Sequence, residues 1–175
     1  VLARAPKSLV SLSGDRSARN WIDGLGPVFN PGERVEGYTS FIGLVLATGL
    51  GVIGVEPADA VRVVSFAGFI LAILAAMVVV YRVVRPDYRW FAVAAGVLVG
   101  SSGPFACWAL AGLEGPLFAF LVLLAAVLAG SAGDNAVRIA MAGLVAGLAA
   151  LTRPEGRMLG GALFLWLVLF NPGAA

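Results

Sequence analysis

The sequence predicts an all-α fold: a polytopic transmembrane helical bundle of five or six membrane helices behind a polar N-terminal loop segment. Three observations predict it. Of 175 residues, 60% are hydrophobic and 13% charged, with a mean hydropathy of +0.95. A soluble domain carries about 25% charged residues. The apolar residues are gathered into long uncharged runs at 37–55, 63–81, 90–113, 115–133, 139–152 and 158–175, and a spanning helix needs ~20 such residues. The connections between runs are short. Backbone in lipid must satisfy its own hydrogen bonds, so helices joined by tight turns are the arrangement that fits.

Taken in order, residues 1–36 form the one long polar stretch. Gly14, Gly24, Gly26, Pro27, Asn30, Pro31 and Gly32 read as turns. One short amphipathic helix is expected over 15–24, with Ala18, Trp21 and Ile22 on one side. Phe29-Asn30-Pro31-Gly32 reads as a turn on its proline and glycine. The 37–55 run is long enough to cross but rich in glycine, and the 139–152 run is short. Gly100-Ser101-Ser102-Gly103-Pro104 interrupts the fourth element, where a kink or a helix end followed by a second short helix is expected. Gly112 and Gly115, and Gly143 and Gly147, are expected to permit close helix contact. Cys107 is expected to be a small buried hydrophobe. Three parts follow: an N-terminal segment 1–15, a loop-like segment 16–36, and a membrane helical domain 37–175.

Composition narrows the chemistry. There is no histidine, hence no histidine base or ligand, and a single cysteine excludes a disulfide framework or zinc cluster. The net charge of +2 is too small for a nucleic-acid surface. Nothing at the N-terminus resembles a cleavable signal peptide. If all six runs cross, the connections 1–36, 82–89 and 134–138 share one side and carry nine lysines and arginines together against three on the other, which puts 82–89 in the cytoplasm and Glu114 outside.

Charges beside apolar runs are functional candidates. Three places qualify. The stretch 30–40 packs Glu33, Arg34, Glu36 and Tyr38 with two hydroxyls against a run; arginine grips phosphate bidentately, and the alternative is a solvated loop. Glu114 stands alone between two runs, as a site or as a polar turn residue. Arg153 and Glu155 follow the short run. Its 14 residues rise only ~21 Å, so Arg153 is expected below the membrane surface in a water-filled cavity, unless the segment is merely a hairpin in which Arg153 pairs with Glu155 or snorkels.

Ala18-Arg19-Asn20, the 28–40 motif, residues 108–117 and residues 151–156 together resemble the GT-C superfamily of polyprenyl-phosphate-sugar-dependent membrane glycosyltransferases. The branch they are most similar to is the actinobacterial terminal arabinofuranosyltransferase type. The resemblance runs from about Arg16 to the C-terminus. It implies transfer of a sugar, arabinofuranose among the options, from a polyprenyl-phosphate donor to a cell-envelope glycan acceptor. The setting it implies is the bilayer of a bacterial cytoplasmic membrane. It places the N-terminal segment outside and lets 37–55 lie along the outer surface. Glu114 matches a second outer-loop acid, and Arg34, Tyr38, Glu114, Arg153 and Glu155 become candidate substrate contacts. No cofactor is expected, a divalent metal being left open, and no nucleic-acid partner.

The family's catalytic acidic pair would fall on Leu9 and Val10, which are apolar. Glu33, Glu36 and Glu114 are the remaining candidate bases, none at the family's base position. The chain is therefore expected to be a fragment, altered at its start and truncated at its end, and inactive alone. A non-enzymatic polytopic protein, a transporter piece or an assembly subunit, stays open as the alternative. The 30–40 stretch, Glu114 and Arg153–Glu155 are expected to converge on one outer cavity.

Overall fold

Glu56-Pro57 starts the longest helix, and its ends suit a helix's electrostatics. Proline fits the first turn, Asp59 sits there too, and Arg82 occupies the last turn. A computed structural model describes residues 9–30, 32–33, 40–131, 133 and 135–170, with side chains from Arg16 to Trp166. Its elements are helical: α1 (Leu9–Ile22), α2 (Phe41–Val52), α3 (Pro57–Val83), a 3-10 turn (Pro86–Tyr88), α4 (Phe91–Gly100), α5 (Gly103–Ala111), α6 (Gly115–Gly130), α7 (Ala136–Thr152) and α8 (Gly156–Phe170). Among the described residues there is no strand.

The order of contacts fixes the topology. α4 and α5 return antiparallel along α3: a side chain at Gly96 would meet Met77, and Phe69 packs on Phe105 at 5.2 Å between ring centroids. The Ser65 hydroxyl then donates to the Leu113 carbonyl at 2.6 Å, tying the α5–α6 turn to α3. α6 runs parallel to α3. Gly68 lies against the Leu117 backbone, and Val79 and Arg82 lie beside Ala126 and Gly130. α7 is antiparallel to α6, with Leu117, Leu121 and Ala125 packed on Ala149 and Val145. α8 turns back along α7. The bundle thus has two ends. One holds the start of α3, the α5–α6 turn and the α7–α8 turn; the other holds the α3–α4 and α6–α7 turns.

The seams are filled by small residues. Ala60, Ala72, Ala92, Ala109, Ala125, Ala146 and Ala149 are buried, while Ile70, Leu74, Val97, Leu98, Leu144, Met158 and Phe164 are exposed. Small side chains inside and large ones outside suit helices in lipid, where close backbone approach drives association.

α3 is long and apolar enough to cross a membrane, and 28% of its most apolar window is buried in the chain. The 3-10 turn with α4 makes a second such unit with α5, bent by 60° between them. The expected break at 100–104 is therefore present, at Ser101 and Ser102. α2, α6 and α7 are apolar but shorter, with 12, 16 and 17 residues.

Several expectations change. The helix expected over 15–24 is present but starts earlier: α1 covers Leu9–Ile22 and runs through Gly14, where the sequence predicts a turn. A mid-helix glycine costs about 1 kcal/mol, and packing of Ala18 on Leu44, Ala47 and Ala60 offsets it. The turns begin at Gly24, whose φ of 81° favours glycine, and the Asn20 amide donates to the Val28 and Phe29 carbonyls. Among its described residues the 37–55 run yields one helix, α2, capped by the Ser40 hydroxyl accepting from the Gly43 N–H at 3.0 Å. Twelve residues rise ~18 Å, short of the ~30 Å hydrocarbon core. Cys107 is exposed: Phe105 and Ala109 occupy the α5 face toward α3, and Cys107 lies between them on the other face. A side chain added at Gly143 or Gly147 would touch nothing. Gly112 and Gly115 do lie close to Val61 and Trp108, as expected, and the tightest approaches are at Gly51 on Ile22, Gly68 on Leu117, Gly96 on Met77 and Gly156 on the α7 backbone.

Candidate functional site

The α7–α8 turn is built by its own residues. Thr152 is fully buried and its hydroxyl donates back to the Leu148 carbonyl at 2.9 Å. Arg153 leaves the helix in extended conformation, and Pro154 cannot continue the helical hydrogen bonding. Gly156 then presses against the backbone of Ala149 and Ala150, where a Cβ has no room. The turn is therefore tight, and Arg153 projects from its inner side.

Arg153 is partly buried. Its guanidinium donates to both Glu155 carboxylate oxygens, at 3.1 and 3.4 Å, and lies over the Phe118 ring at 5.9 Å. Glu155 is exposed. Its carboxyl is held below the ordinary value, first by a hydrogen bond from its own backbone N–H and then by Arg153. Hydrogen bonds to the charged form of an acid have this sign.

Phe118 links this turn to Glu114. Its N–H donates to the Glu114 carbonyl at 2.9 Å, one turn into α6. Glu114 is half-buried and caps the α6 N-terminus through its backbone, with no side-chain cap bond. A carboxylate there is favoured by the helix dipole. Glu114, Arg153 and Glu155 thus occupy one end of the bundle. Ile42, near the start of α2, packs on the Leu117–Ala149 cluster and brings that helix start to the same region.

The 30–40 stretch is described only in part. Glu33 is exposed and accepts from the Asn30 amide at 2.9 Å; it makes no hydrogen bond or ion pair with Glu114, Arg153 or Glu155. Arg34, Glu36 and Tyr38 lie outside the described residues. Among the described residues no three metal-ligating side chains gather.

Two features had no signal in one dimension, and a third had a misleading one. Phe118 under Arg153 requires knowing that α6 and α7 are antiparallel. Arg19 pairs with Glu56, joining α1 to the α2–α3 turn across 37 positions. A cavity of about 340 Å³ runs between α7 and α8, lined by Gly143, Gly147 and Gly160 with Arg157 among its walls. The paired glycines hinted at a helix seam; the structure leaves an open groove.

Compared with protein-family models, curated proteins and solved structures, the chain matches none.

Proposed function

We propose that the chain is a polytopic bundle in a bacterial cytoplasmic membrane. In this reading α3, the bent α4–α5 pair, α6, α7 and α8 cross, and α2 packs part-way. We further propose that the Glu114–Arg153 end binds the phosphate of a polyprenyl-phosphate sugar, as part of a glycosyltransferase acting on a cell-envelope glycan. The observation that carries this reading is the Arg153–Glu155 pair beside the α6 start and Glu114. A guanidinium held by an adjacent carboxylate can exchange that partner for a phosphate, which offers the same bidentate geometry. The short α6 and α7 favour the exchange. Seventeen residues rise ~26 Å against a core of ~30 Å, which draws the turn toward the hydrocarbon, where an unpaired arginine is costly.

The resemblance assigns the base to positions occupied here by Leu9 and Val10. The proposal therefore gives this chain donor binding and no turnover. Those two apolar residues also support the second reading, a non-enzymatic polytopic subunit. The test is binding of a polyprenyl monophosphate to the full chain in lipid nanodiscs, with the matching polyprenol as control. Preference for the phosphate, lost in Arg153→Ala, is expected. Equal binding of both lipids, or unchanged affinity in the variant, refutes the phosphate role.

A further inference from the structure

The opposite end of the bundle carries a different chemistry. Where the parallel helices α3 and α6 end together, they leave a slot of about 200 Å³. Val79, Val83, Ala126 and Val127 form its apolar walls, with Arg82 and Ser131 among the lining residues. The Arg138 guanidinium donates to the Ser131 carbonyl at 2.7 Å, which holds a second cation beside the same slot. Arg85 follows three residues after Arg82 and is exposed. Neither Arg82 nor Arg85 forms an ion pair with a described residue. Arg89 turns instead onto the Tyr81 ring, 4.4 Å from its centroid. The acid of this turn is Asp87, and Asp134 lies outside the described residues. Tyr81, Tyr88 and Trp90 are exposed around the same turn, the residue types that settle at a headgroup boundary.

From this juxtaposition we infer that the α3–α6 slot holds one acyl chain of an anionic phospholipid, with its phosphate on Arg82 and Arg138. The inference rests on the membrane reading above and is independent of the polyprenyl-phosphate site at the other end. Charge complementarity selects the occupant. A neutral partner leaves Arg82 without an anion, whereas a phosphodiester can accept from both guanidinium groups while its tail lies on the valines. Gly130 leaves room for this tail, since a side chain there would meet nothing within 4 Å.

The test uses the full chain extracted from vesicles of phosphatidylglycerol and phosphatidylcholine in equal amounts, with retained lipid measured by native mass spectrometry. Wild type is expected to retain phosphatidylglycerol preferentially. Arg82→Ala and Arg138→Ala should each lower that preference about fivefold, the effect of one basic residue at a charged membrane surface. Gly130→Leu fills the slot, keeps every charge, and has space for its side chain; it should lower total retained lipid while the protein stays folded by circular dichroism. Arg157→Ala, at the other end, should change nothing. Equal retention of both lipids by wild type, or an unchanged preference in both arginine variants, overturns the inference. Release of the wild-type chain from vesicles by alkaline carbonate would instead overturn the membrane reading itself.

Discussion

Arg153 and Glu155 show how a local turn prepares a charged pair. The lowered Glu155 carboxyl stays ionised to a lower pH than an ordinary glutamate does. A folded-state value below the unfolded one means the stabilisation is fully present above the unfolded value. It is lost as pH falls through the folded one. Glu155→Gln removes that dependence. In acid titrations followed by thermal unfolding, the wild-type chain should lose stability relative to Glu155→Gln once pH drops below the ordinary glutamate value, with no such trend near neutrality. Both partners were legible in the sequence because they are two residues apart. Phe118, which completes the arginine's surroundings, was not, because it is reached only through the antiparallel packing of α6 on α7.

Between elements, glycine decides where helices touch and where they do not. A Cβ at Gly68 would come within 2.7 Å of the Leu117 backbone, which cannot yield as a flexible side chain would. Gly68→Ala should therefore destabilise by roughly 1–3 kcal/mol, the usual range for overpacking. Gly147→Ala points into open space and should be neutral or stabilising by up to about 1 kcal/mol, the helix-propensity gain. Unfolding of the purified chain in mixed detergent micelles measures both. A sequence motif cannot separate the two cases. Gly143 and Gly147 have the small-xxx-small spacing yet face a groove, whereas Gly68 has no glycine partner and forms the tightest seam onto α6. The break at 100–104 was legible because its cause is local. The length of α1 was not, because it rests on contacts with α2 and α3 formed by distant residues.

At the scale of the molecule, the order of turns assigns two ends, and in the proposed membrane reading charge assigns them to opposite faces. In a Cys107→Ser background, cysteines placed at Asp87 and Glu114 should react with an impermeant reagent from opposite sides, position 114 from outside intact cells and position 87 only after permeabilisation. Reaction of both from one side would undo the two-ended topology. The helical class was legible from composition and run lengths, since these report the solvent directly. The pairing of helices was not. With alanine on the seams and leucine, valine and phenylalanine outside, hydrophobicity does not distinguish a buried face from an exposed one.

The parallel alignment of α3 and α6 also has a consequence in time. Ser65 and its acceptor at Leu113 are 48 positions apart, and every residue between them must be synthesised before the hydroxyl can close on that carbonyl. At about 5–20 residues per second, α3 waits roughly 2–10 s for its main companion, long after local helix formation is complete. During that interval the only later helices present are α4 and α5, which pack along it and leave the Gly68 notch open. On the membrane reading proposed above, assembly is therefore sequential: α3 packs with α4 and α5 first, and α6 is the piece that locks them.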